Sequence, residues 1–140
     1  MSRNRLAAFL FGAVYLLIGL VGFLIVTDFL DKNTDKRLIL FEINGLHNVV
    51  HLLVGIALLA AARAGYRAAR SMNMAVGGTY LLIGIIGLFI ANDTSSANIL
   101  SLNGWDNVLH FGTALVLLGV ALTEKEFVEV DRERDLAGVV

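Results

Sequence analysis

The sequence predicts an all-α fold, an integral membrane four-helix bundle built from two parallel two-helix repeats. Three observations predict it: an apolar composition, four separate apolar runs and an internal repeat. Of the 140 residues, 57% are hydrophobic and 16% charged, with a mean hydropathy of +0.76. Soluble domains carry about 25% charged residues, so a water-soluble protein of this size would lack the charge to cover its surface. The length fits one domain over residues 1–140. A net charge of −1 argues against a nucleic-acid partner. There is no Cys and no Pro. Disulfides, thiol catalysis and thiolate metal sites are excluded, and no span carries a proline break.

The first span covers about residues 6–28. Leu6 to Val26 is free of charge and reaches the roughly 20 residues that cross a bilayer. It exceeds the roughly 7–15 residues of a signal-peptide apolar region. Thr27 and Asp28 follow instead of a small-residue cleavage site, so it reads as a retained helix. The second span (about 45–63) is interrupted by His47, Asn48 and His51. The third (about 73–91) carries no charged residue. The fourth (about 104–123) contains Asp106, Asn107 and His110, and Asp106 is the only charged residue inside the four apolar runs. Asn44-Gly45 and Asn103-Gly104 open the second and fourth helices, with Asn as the capping residue.

Arginines set the orientation. Arg3 and Arg5 precede the first span, and Arg63, Arg67 and Arg70 lie between the second and third. The third connection, Asn92 to Asn103, has neither Lys nor Arg, and the first is mixed in charge. The positive-inside rule therefore puts both termini in the cytoplasm. The tail at 124–140 reads as a solvated cytoplasmic segment. Trp105 suits the opposite, outer aromatic belt.

The repeats cover about residues 6–64 and 71–123. Tyr15-Leu16-Leu17-Ile18-Gly19 recurs as Tyr80-Leu81-Leu82-Ile83-Gly84, and Gly22 matches Gly87 and Asp28 matches Asp93, at an offset of 65. Asn44-Gly45, Asn48-Val49 and His51 match Asn103-Gly104, Asn107-Val108 and His110 at an offset of 59. His47 stands against Asp106. Each repeat holds two spans, so both halves enter the membrane in the same direction, related by a pseudo-two-fold along its normal. Matched residues then share one depth. Gly19, Gly22, Gly84 and Gly87, with Gly12, Gly77 and Gly78, form a small-residue side for helix packing. Tyr15 and Tyr80 lie midway along their spans, where their hydroxyls require hydrogen-bond partners.

All three histidines fall in the repeated motif. His47 and His51, like Asp106 and His110, stand four residues apart, on one helix face. Three imidazoles and a carboxylate are a tetrahedral donor set for a divalent metal such as zinc. Asn48 and Asn107 are then expected to hydrogen-bond the ligating side chains. Two other chemistries fit the residues: a b-type haem ligated by His51 and His110, and a proton relay. The bland alternative is a hydrogen-bonded lock in a structural or accessory subunit of a larger membrane complex or homo-oligomer. Catalysis is not expected, because four protein ligands close the site. Glu42, the nearest candidate base, faces Ser101 at the equivalent repeat position. The apolar inner halves of the spans argue against a transport path.

The layout and the motifs Asn44-Gly45-x-His47-Asn48-x-x-His51 and Asn103-Gly104-x-Asp106-Asn107-x-x-His110 resemble a family of small bacterial four-helix membrane proteins known by a domain-of-unknown-function label. The resemblance covers about residues 6–122. It implies a multi-pass protein of the bacterial inner membrane and supplies no activity. A reporter fused after Val140 is expected to behave as cytoplasmic in a topology assay; an extracytoplasmic result would invert the whole placement.

Overall fold

The computed structural model describes residues 1–30, 36–91 and 97–124. Four helices account for most of them: α1 Arg3–Ile25, α2 Gly45–Ala64, α3 Tyr66–Ile90 and α4 Gly104–Thr123. All four are long and apolar enough to cross a membrane. A two-stranded antiparallel hairpin precedes α2, with β1 Arg37–Leu38 paired to β2 Phe41–Glu42. Its turn passes through Ile39 at φ 62°, a left-handed conformation that is costly for a β-branched residue.

Large apolar side chains cover the exterior, and polar residues share the interior with an apolar core. Leu24, Phe89 and Leu115 point outward, while Asn4, Asn48, Asn73 and Asp106 are buried. Such a surface suits lipid. The chain is therefore a multi-pass membrane protein in contact with the bilayer.

The helices extend beyond their apolar runs. α1 begins at Arg3 and ends at Ile25, three residues short of Asp28. α3 begins at Tyr66, so Arg67 and Arg70 are helical, and the connection between α2 and α3 shrinks to Gly65. Hydropathy misses this turn because interfacial residues need not be apolar. Tertiary contacts hold it instead: Ala69 is buried and Arg70 Nε donates to the Ala121 carbonyl at 2.8 Å. Gly65 takes φ 122°, ψ −174°, a conformation open in practice only to glycine.

Glycines bring the two helices of each repeat together. A Cβ at Gly22 would strike Asn48 Oδ1, and one at Gly87 would strike Asn107 Oδ1. Gly12 abuts Leu59 as Gly77 abuts Leu118, and Gly19 abuts Leu52 as Gly84 abuts Phe111. These pairs repeat at the two offsets of the sequence. Gly78 is the exception among the expected packing glycines, since a side chain there would meet open space.

Polar side chains join the two repeats. At the hairpin end, Asn44 Nδ2 donates to the Ile99 carbonyl at 2.9 Å. Reciprocally, Asn103 Nδ2 donates to the Leu40 carbonyl at 2.9 Å. Midway, the Tyr15 hydroxyl lies 2.5 Å from Thr113 Oγ1, the interhelical partner expected for a tyrosine at that depth.

At the end carrying the chain's N-terminus, Glu124 bridges α4 to α1. It was expected to open a solvated tail; instead it is buried. Its carboxylate accepts from Arg3 N and Asn4 N, both at 2.7 Å, and from Asn4 Nδ2 at 2.6 Å. Asn73 Nδ2 reaches Asn4 Oδ1 at 3.0 Å, and the Tyr66 hydroxyl donates to the Glu124 carbonyl at 2.9 Å. A carboxylate at a helix N-terminus satisfies backbone donors and complements the dipole. The rest of the expected tail lies outside the described residues.

Burial alone would raise the Glu124 pKa, but the hydrogen bonds from Asn4 and Arg3 and the Arg3 charge outweigh it and hold the carboxyl below its ordinary value. With the folded value depressed, the stabilisation is complete above the unfolded pKa and is lost as pH falls through the folded one. Glu124→Ala is expected to cost about 1.5–3 kcal/mol in detergent unfolding, the range of a charge-assisted hydrogen bond. Glu124→Gln is expected to remove part of the wild type's acid sensitivity.

Candidate functional site

Two helix starts build the site. Asn44 caps α2, its Oδ1 accepting from His47 N at 2.9 Å. Asn103 caps α4, its Oδ1 accepting from Trp105 N at 2.9 Å and Asp106 N at 3.1 Å. The third helical position then separates the repeats. Asp106 Oδ2 accepts from Asn103 N at 2.8 Å and completes a capping box. His47, at the same position of α2, makes no such return bond. The one chemically telling mismatch in the repeat thus has a local structural role.

One turn in from these caps, the predicted residues lie in a single buried layer. His47 Nε2 is 3.9 Å from Asp106 Oδ1, with side-chain exposures of 2% and 0%. The His47 and His51 rings meet edge to face at 4.5 Å between centroids. Tyr15 packs on His51 at 5.2 Å, Tyr80 on His110 at 5.1 Å, and the two tyrosines on each other at 5.3 Å. A continuous row therefore runs from Asp106 through both repeats to His110. The tyrosines belong to this row, which their shared offset of 65 hinted at but could not prove. Thr113 carried no sequence signal.

Each of the four predicted ligands has one buried donor atom without a hydrogen-bond partner: Nδ1 of His47, His51 and His110, and Oδ1 of Asp106. The four do not form a ready cage. Among the described residues, no group of three or more His, Asp or Glu side chains is placed to hold a metal ion.

Asn48 and Asn107 turn toward the helix partner of their own repeat. Asn48 Nδ2 donates to the Val26 carbonyl at 3.4 Å, and both amide oxygens sit against glycine, Gly22 and Gly87. The close approach of the glycine backbone draws them there. Asp28 is exposed, 3.9 Å from Lys36 Nζ, and Asp93 lies outside the described residues. Trp105 is 53% exposed at the start of α4, as an interfacial aromatic would be.

Fold and site together define a four-span helical membrane protein with a buried layer of histidine, aspartate and tyrosine. The chain belongs to the family described as a domain of unknown function, DUF4383, which matches residues 5–123. No curated protein and no solved structure matches it. Asp106→Ala is expected to destabilise α4 by about 1 kcal/mol through the lost cap. Asp106→Asn, which keeps an acceptor for Asn103 N, is expected to recover most of that loss in thermal unfolding.

Proposed function

We propose that the His/Asp layer binds one divalent cation, zinc by preference, in a protein of the bacterial inner membrane whose termini lie in the cytoplasm. His47, His51, His110 and Asp106 supply the donors. The observation that carries this reading is that all four predicted ligands are among the seven residues with an unpartnered buried side-chain atom, the other three being Asn48, Asn73 and Asn107. An unsatisfied buried polar group costs about 1–3 kcal/mol, and a cation would satisfy all four at once. The aspartate charge lowers the cost of holding a dication beside lipid. Binding takes a convergence of side chains that now stand apart, with Asp106 retaining its cap through Oδ2.

A second reading has its own support. Asp106 is already used in the capping box, and Oδ1 faces His47 Nε2 across the repeat boundary. The layer then acts as a polar lock in a subunit of a larger membrane complex. Haem between His51 and His110 is disfavoured by the tyrosines packed on both rings.

Elemental analysis of detergent-purified protein, prepared without chelator, is expected to find about one zinc per chain. His51→Ala is expected to weaken binding by at least about 100-fold, the upper end of what losing a mere hydrogen-bond partner of a ligand costs. Protein without stoichiometric metal, or a His51→Ala variant that retains it fully, would leave the lock as the reading. A Soret band in the same sample would establish haem instead.

A further inference from the structure

A groove of about 510 Å³ runs between α3 and α4, lined among others by Leu81, Phe111, Leu115, Leu118, Gly119 and Leu122. Leu115 and Leu122 are exposed, so the groove opens to lipid. On α4 its residues recur every three or four positions and form one stripe along the helix. From Phe111 to Leu122 the stripe is about 16 Å long at the helical rise. Half of a bilayer's hydrocarbon core measures about 15 Å. Gly119 keeps the groove open, since a Cβ there would meet no atom within 4 Å. Arg70 stands at its end. The Arg70 Nε donates to the carbonyl of Ala121, the neighbour of Leu122, at 2.8 Å. Arg70 precedes Leu81 by 11 residues, three helical turns, so the two share a face of α3. Arg70 is exposed, and the bond to Ala121 uses one of the five guanidinium N–H donors.

We propose that this groove seats one anionic phospholipid, with an acyl chain along α4 and the phosphate on the Nη groups of Arg70. The stripe matches one leaflet in length, and its end carries a guanidinium, whose planar fork pairs two phosphate oxygens at once. Arg63 and Arg67 stand at the same end of the bundle. Among the described residues the acidic side chain at that end is Glu124, and its carboxylate is turned to the Arg3 and Asn4 amides. The surroundings of the headgroup are therefore positive. They favour a lipid with net negative charge over one whose phosphate is balanced by its own ammonium. The Ala121 bond orders the guanidinium before a lipid arrives, which lowers the entropic cost of binding. The first repeat has the matching arginine, with Arg5 Nε on the Ala62 carbonyl at 2.8 Å. It lacks the apolar stripe, because Ala60 stands in place of Gly119 and Arg63 in place of Leu122.

The test is native mass spectrometry of the full-length protein in detergent, titrated with phosphatidylglycerol or with phosphatidylcholine. Wild type is expected to bind one phosphatidylglycerol roughly five-fold more tightly than phosphatidylcholine, the worth of one arginine beside an anionic headgroup. Arg70→Gln is expected to bind the two lipids equally. Gly119→Leu, which fills the groove without touching the arginine, is expected to weaken both. Equal affinity of wild type for the two lipids overturns the proposal. A preference that survives Arg70→Gln also overturns it and leaves Arg70 as a cap on α4 alone. Gly119→Leu that binds both lipids as wild type does shows that the groove holds no acyl chain. If wild type is a dimer and Gly119→Leu a monomer, the groove receives a second copy of the chain and the lipid is ruled out. Should Arg70→Gln fail to fold, as judged by helical circular dichroism, Gly119→Leu decides: weaker lipid binding supports the proposal, and unchanged binding overturns it.

Discussion

In this bundle buried polar groups bridge the two repeats across a shared apolar core. Lipid gives helices little hydrophobic reason to associate, and it leaves every buried donor or acceptor dependent on a partner within the protein. Inside each repeat the solution is close packing, with glycine against leucine, phenylalanine or asparagine. Between the repeats it is hydrogen bonding at three depths: the Asn44 and Asn103 amides reaching across to each other's loops, the Tyr15–Thr113 pair midway, and the Glu124–Asn4–Asn73 cluster at the far end. The histidine layer sits between the first and second of these, and four of its side-chain atoms have no hydrogen-bond partner.

Three glycine contacts recur in both repeats, and two of the departures from the repeat are informative. Gly65 covalently links α2 to α3. Its counterpart at an offset of 59 is Glu124, where the chain leaves the bundle. There the Glu124 carboxylate binds the first amides of α1 and closes noncovalently the ring that the peptide bond closes on the other side. The second departure is Asp106 against His47. Both departures place a carboxylate from the second repeat on a helix N-terminus, Asp106 on that of α4 and Glu124 on that of α1, a position that favours negative charge.

His47 lies beside both His51 and Asp106 because the histidine pair is four residues apart on one helix and the paired helices start at matched asparagine caps. That part of the site was legible in spacing. The contribution of Tyr15 and Tyr80 was half legible: their depth required a partner, yet nothing in the chain pointed to Thr113 or to the histidine rings. Asn48 and Asn107 were read one residue too literally. Adjacency to a histidine along a helix turns a side chain by about 100°, and the glycine surface of the neighbouring helix captured both amides.

By itself the sequence determined the solvent of the protein, the number of its helices, the caps that start α2 and α4, and the repeat that aligns them. These follow from composition, period and matched motifs, which are local properties of the chain. Only the tertiary structure decided that α3 begins at Tyr66, that Glu124 is buried, that the β1–β2 hairpin overlies the His/Asp layer, and that four ligand-type atoms remain unpaired. Each of those depends on contacts between segments far apart in the chain, such as Glu124 with Asn4 and Asn103 with Leu40. A polar residue next to an apolar run looks the same in sequence whether it meets water or a buried partner.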